Sequence, residues 1–225
     1  MVRIQGVEGV RMETGKIKIK TVFISLAAIV VIEVVAWLAV SGETDNLLLI
    51  LGLTRLLETI FVVLTVLIME GNISFIGLSI SRVTFELKRG FIWSAGFGII
   101  VVLVFAALFA FGVNPIALVH TNLPAGQGEI VLFFLVGGIV SPVAEEVLFR
   151  GVLYGFFRRW GVFAAVTLST LAFVLVHPTG SGVPLPQITG GVLFAMAYEK
   201  EGNLLVPITI HTLGNMAIFS LSLMP

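Results

Sequence analysis

Ser141-Pro142-Val143-Ala144-Glu145-Glu146-Val147-Leu148-Phe149-Arg150-Gly151 places three ionisable residues inside a run, 129–157, that is otherwise largely apolar. A run of that length crosses a bilayer, for which about 20 residues suffice. Left unpaired at the bilayer centre, each of the three costs roughly 2.5–3.5 kcal/mol on insertion scales. The stretch therefore reads as a membrane-spanning helix that carries a functional polar site, and the rest of the chain must supply its partners.

Composition points the same way. Of 225 residues, 58% are hydrophobic and 12% charged, about half the share of charge usual in soluble domains. The expected fold class is all-α: a polytopic transmembrane helical bundle of about seven spans, with a C-terminal catalytic core of about four helices. Net charge is zero, which gives no electrostatic case for nucleic acid. The chain has no cysteine, which excludes disulfides, thiolate nucleophiles and Cys-ligated zinc. Any chemistry must use Glu, His, Asn, Ser, Thr or Arg.

Outward from the quoted stretch, the apolar segments are 21–40, 46–69, 91–111, 129–157, 162–177, 185–198 and 204–224. The first is too long for the apolar core of a signal peptide, about 7–15 residues. Although Ala39-Val40-Ser41 is weakly cleavage-like, it reads as an uncleaved span. Met12 is a second plausible start. Residues 71–90 mix apolar and basic side chains and suit an interfacial segment. Pro178-Thr179-Gly180-Ser181-Gly182 is a breaker run after the fifth span. The expected organisation is a variable membrane region over 1–127 and a catalytic core over 128–225. Inside the early spans, Glu33 reads as an interhelical hydrogen-bonding or protonated acid. Arg55 and Glu58 read as a local pair at i,i+3. His120, alone in the loop 112–128, reads as a solvated histidine.

Of the thirteen Lys and Arg, only Arg55 and Arg150 lie within spans. If all seven segments cross, every other basic residue falls on one side, and the loops 41–46, 112–128 and 178–184 hold none. The positive-inside rule then puts the N-terminus in the cytoplasm and the C-terminus outside. The expected location is a prokaryotic cell membrane, with the lipid bilayer as a partner.

Helix geometry separates the two carboxylates of the quoted stretch. At 100° per residue, Arg150 lies about 40° from Glu146 and about 140° from Glu145. Glu146 and Arg150 form an i,i+4 pair in the favoured order, a structural and orienting role. Glu145 is left to find partners on other helices. His177 closes the fifth span, and His211 and Asn215 share a face of the seventh. Counted from the basic side at about 1.5 Å per residue, Glu145 lies about 20 Å deep, His177 about 22 Å, Asn215 about 18 Å and His211 about 12 Å. Such a set can hydrolyse a bond. Glu145 would act as general base on a water shared with His177, and His211 and Asn215 would donate to an oxyanion.

The pattern Glu145-Glu146-x-x-x-Arg150, Phe173-x-x-x-His177 and His211-x-x-x-Asn215 resembles the CPBP family of intramembrane proteases. These are the CAAX-prenyl-protease and bacteriocin-processing, or abortive-infection, proteins. Gly151, Gly202-Asn203-Leu204 and Pro207-Ile208 add to the likeness, which covers about 128–220. The resemblance implies an intramembrane endopeptidase in which Glu145 and His177 activate water, while His211 and Asn215 stabilise the oxyanion. It implies as substrate a peptide or protein at the membrane, lipidated or not: a CAAX-type protein, a peptide or bacteriocin, or a C-terminal sorting signal. The preferred reading needs no cofactor and no metal. A divalent ion such as zinc on Glu145, His177 and His211 is the alternative, and the chain lacks His-Glu-x-x-His. A non-catalytic immunity or scaffold protein of the same fold, and a small transporter using Glu33, Arg55 and Glu58, are the competing classes.

Overall fold

The computed structural model describes residues 17–40, 47–79, 82–177 and 183–224. The alternative start at Met12, the cleavage-like Ser41 and the breaker run 178–182 lie outside the described residues. Among those described, the protein is all-helical. Seven principal helices follow one another: α1 Ile19–Val40, α2 Leu47–Glu70, α3 Val83–Ala110, α4 Gln127–Trp160, α5 Val162–Leu175, α6 Leu185–Glu201 and α7 Leu205–Ser222. Five of them, all but α5 and α6, are long and apolar enough to cross a membrane. With 14 and 17 residues, α5 and α6 fall short of a full crossing and pack on each other.

The outer helices bury little of themselves. In α1 only Thr21, Val22 and Ser25 are buried, while Phe23, Val30, Val31 and Trp37 are exposed. A surface this apolar matches hydrocarbon rather than water. The helices meet where side chains are small. A Cβ on Gly52 of α2 would come within 2.9 Å of Val136 of α4, and one on Gly191 of α6 within 2.7 Å of Thr170 of α5. These close approaches are how helices associate when lipid removes the hydrophobic incentive.

Polar clasps gather at the basic end. Glu70 at the end of α2 accepts from the backbone N–H of Lys18 and from the Thr21 hydroxyl. Arg159 donates to Ile17 O. Arg158 makes a bidentate pair with Glu199 at 2.9 and 2.8 Å, and Tyr154 donates to the same carboxylate at 2.7 Å. Together these tie the ends of α1, α2, α4 and α6 into one layer.

One expectation changes here. Residues 71–90 are not a single interfacial segment. A short 3₁₀ turn, Ile73–Ile76, capped by the Asn72 side chain, is followed by the first two turns of α3, which starts at Val83. Its polar residues prolong the spanning helix beyond its apolar part: Arg89 pairs with Glu201 at 2.7 Å, and Gly90 sits tightly against Thr209 of α7.

Candidate active site

The site begins with an irregularity in α4. Two stretches of this helix, Val136–Val140 and Val147–Tyr154, are π-helical, on either side of a short α-helical stretch Ser141–Glu146. Wide turns of this kind occur mostly at functional sites. The first has a consequence for the backbone. The N–H of Ser141 turns back to Val136 O, so it is withdrawn from Gly137 O, its ordinary i−4 partner. The i+5 partner of Gly137 is Pro142, which has no N–H. Gly137 O is thus deprived of both helical donors. Asn215 of α7 reaches across and donates its Nδ2 to it at 2.9 Å.

The second wide turn carries Arg150. Its NH1 meets Glu146 Oε1 at 2.9 Å and its NH2 donates to Gly191 O at 3.2 Å. Both side chains of the pair have no exposure at all. The guanidinium also lies 4.9 Å from the ring centre of Phe173 and 5.1 Å from that of Phe194, within cation–π range. A buried arginine is tolerable here because a carboxylate, a carbonyl and two aromatic faces surround it.

Glu146 has a further partner: the same Oε1 lies 2.8 Å from His211 Nδ1. The other face of this imidazole arrangement belongs to Glu145. Its Oε2 lies 3.6 Å from His177 Nε2 and 3.7 Å from His211 Nε2. Both separations exceed a direct hydrogen bond. His177 stands just beyond α5, with Nδ1 2.7 Å from Phe173 O. A carbonyl only accepts, so Nδ1 carries the proton and the other ring nitrogen is presented to Glu145. His211 is stacked on Phe194, with ring centres 4.6 Å apart and planes at 21°. The side chains of Glu145 and His177 keep 16% and 31% exposure. The edge with Glu145 and His177 is therefore reachable while the edge with Glu146 and Arg150 is sealed.

The depth ladder needs correcting. It set Asn215 level with Glu145 and His211 a turn away, but His211 meets Glu145 and Asn215 holds the α4 backbone. The reason is that eight of the residues between Glu145 and Arg158 are π-helical. A wider turn advances less along the axis than the α-helical rise assumed, so Glu145 lies shallower than the count. Sequence reasoning missed three contributors: the Gly137 and Gly191 carbonyls and the Phe194 side of the Phe173–Phe194 cage. The spacing of Gly137 from Pro142 was the available signal for the first.

The local pair in α2 also proves larger. Arg55 NH1 lies 2.6 Å from Glu58 and 3.0 Å from Glu33 of α1, so Glu33 is an interhelical ion-pair partner. Arg55 is within electrostatic reach of Glu145 and His177. His120 is exposed in the loop before α4. For zinc, the alternative ligands Glu145, His177 and His211 present Glu145 Oε2 and two Nε2 atoms to one another, while Phe173 O and Glu146 hold the two Nδ1 atoms, the support usual for a ligating histidine. Among the described residues no cluster of three or more His, Asp or Glu is arranged to hold a metal ion.

A family comparison falls on this region. Residues 127–217 match the family described as Type II CAAX prenyl endopeptidase Rce1-like. The membrane-embedded CAAX protease MroQ of Staphylococcus aureus is 34% identical over 102 residues, covering 41% of this chain and 41% of that protein. A Bacillus subtilis protein named putative membrane peptidase YdiL is 29% identical over 97 residues, covering 43% of this chain and 39% of its own. The match thus spans about two fifths of the length of each of these curated relatives. No solved structure matches.

Proposed function

We propose that this chain, whose residues 127–217 match the Rce1-like CAAX prenyl endopeptidase family, is an intramembrane endopeptidase that hydrolyses a peptide bond of a membrane-associated substrate with a water activated by Glu145 and His177. The observation that carries this reading is the gap between Glu145 and the two imidazoles, 3.6 and 3.7 Å wide. A water about 2.8 Å from each can donate one proton to the carboxylate and the other to His177 Nε2. Its lone pair is then turned towards the substrate carbonyl.

Attack forms the C–O bond as the water proton passes to Glu145. The tetrahedral oxyanion is met by the second N–H of Asn215 Nδ2, the first being spent on Gly137 O. When His211 donates Nδ1–H to Glu146, its Nε2 is an acceptor. In that tautomer it serves as a proton relay to the leaving amine rather than as an oxyanion donor, a role that differs from the sequence expectation. Collapse breaks the C–N bond, and the amine leaves with the proton taken from water. Glu146 and Arg150 orient His211 and touch no reacting atom.

The substrate class is a membrane peptide or protein, lipidated or not, and the proposed orientation keeps the basic end cytoplasmic. The test uses membranes of a host expressing the wild type or Glu145→Gln, with newly created protein N-termini labelled and sequenced. Termini from membrane proteins seen with the wild type and lost in the variant are expected. Identical sets in both would end the protease reading and leave the scaffold class. Cleavage by purified protein that persists after treatment with a strong zinc chelator is expected; its loss would restore the metal alternative.

A further inference from the structure

Away from the site, α3 and α6 each pack on α7 yet barely on one another, and a groove of about 490 Å³ opens between them. Along α3 it is lined by Arg89, Ile92, Trp93, Gly96, Phe97 and Ile100. These positions repeat at three and four residues, the stripe of one helix face. From Arg89 to Ile100 the stripe runs about 16 Å at the α-helical rise, the depth of one leaflet of a hydrocarbon core about 30 Å thick. Gly96 forms its middle, and a Cβ built there would meet nothing within 4 Å.

The end of the groove is charged. Arg89 and Lys200 stand at the basic end of the bundle, with Lys200 Nζ 5.4 Å from the centre of the Trp93 ring. Glu201 shares this mouth but is already engaged: it takes Arg89 NH1 at 2.7 Å and the Trp93 indole N–H at 2.9 Å. Glu86 lies nearby as a second carboxylate. Lys200 has no ion-pair partner among the described residues and is exposed. A tryptophan whose indole is fixed at the polar end, cations above it and an apolar trough below it reproduce the layering of a lipid leaflet.

We infer that the α3–α6 groove is a binding site for one anionic phospholipid of the leaflet at the basic end, its phosphate held by Lys200 and the free donors of Arg89 and one acyl chain lying over Gly96. The site is separate from the hydrolytic cluster and does not rest on the protease reading. A bound lipid fills the space between two helices that are joined at the basic end, through Arg89, Trp93 and Glu201, and diverge below it. It steadies α6, which supplies Gly191 O to Arg150 and the Phe194 ring to His211.

The full chain, purified in detergent, would be titrated with dioleoyl phosphatidylglycerol and, separately, dioleoyl phosphatidylcholine. Bound lipid is counted by native mass spectrometry and thermal unfolding is followed in parallel. One tightly held phosphatidylglycerol and a rise in melting temperature beyond that with phosphatidylcholine are expected. Lys200→Gln should weaken phosphatidylglycerol about fivefold, the contribution of one basic residue at an anionic surface, and phosphatidylcholine by less, because the choline cation already offsets that lipid's phosphate. Gly96→Leu fills open space and should weaken both lipids about tenfold. Equal retention of the two lipids by the wild type overturns the headgroup assignment. Unaltered phosphatidylglycerol retention in both variants overturns the site.

Discussion

Arg55 and Arg150 lie inside the apolar runs of α2 and α4, and they are housed differently. Arg150 is wholly buried, with a carboxylate, a backbone carbonyl and two aromatic rings around it. Arg55 in α2 is 28% exposed, uses one nitrogen for two glutamates, and one of those, Glu33, is itself 45% exposed. The first arrangement fixes a ring, because Glu146 passes the constraint on to His211. The second clasps α1 to α2 and can yield. A charge that must orient chemistry is surrounded on all sides; a charge that only joins helices is left with room.

The largest contrast is expected in activity. Glu145→Gln should lower cleavage about 10²–10⁴-fold, the usual weight of a general base, while the melting temperature in detergent holds. No substitution of Arg55 or Glu33 should approach that. Next comes stability. Arg150→Leu leaves the Glu146 carboxylate buried without its cation and should cost about 3–5 kcal/mol, measured by unfolding in detergent. If Arg55→Leu costs as much, the two arginines are equivalent and the contrast is broken.

A smaller effect sharpens the same side. Asn215→Ala strands the Gly137 carbonyl and should cost about 1–3 kcal/mol. Pro142→Ala restores an N–H to the α4 backbone and should make the Asn215→Ala loss smaller, a positive coupling readable in a double-mutant cycle. Strict additivity would show that Pro142 is not the reason Asn215 is needed. Arg55→Leu strands the buried Glu58 carboxylate but removes a cation that keeps 28% exposure, and should cost about 1–3 kcal/mol.

Much of this was legible in the chain. The i,i+4 placement of Glu146 and Arg150 follows from helical spacing alone, and the isolation of Glu145 follows from the same angle. Helix number follows from runs of apolar residues. What was not legible depends on departures from regular geometry. The depth of Glu145 could not be counted correctly through a wide-turned segment, so His211 and Asn215 exchanged places. The reach of Glu146 to His211 is a tertiary contact, and the carbonyls of Gly137 and Gly191 have no side chain to announce them. Glu33 showed itself as a costly acid, but its partner on α2 needed the packing of α1 on α2 to be known.

The diverted rung at Gly137 also bears on how the protein is made. Helices enter the membrane in order from the ribosome, and α4 arrives well before α7. Until α7 is in place, the Gly137 carbonyl has no donor from its own helix, Glu146 lacks its imidazole, and a polar seam faces lipid. That later helix, α7, supplies both missing groups at once, through His211 and Asn215. A nascent chain therefore cannot hold the finished Glu145–Glu146–His177–His211 cluster until its synthesis has passed α7.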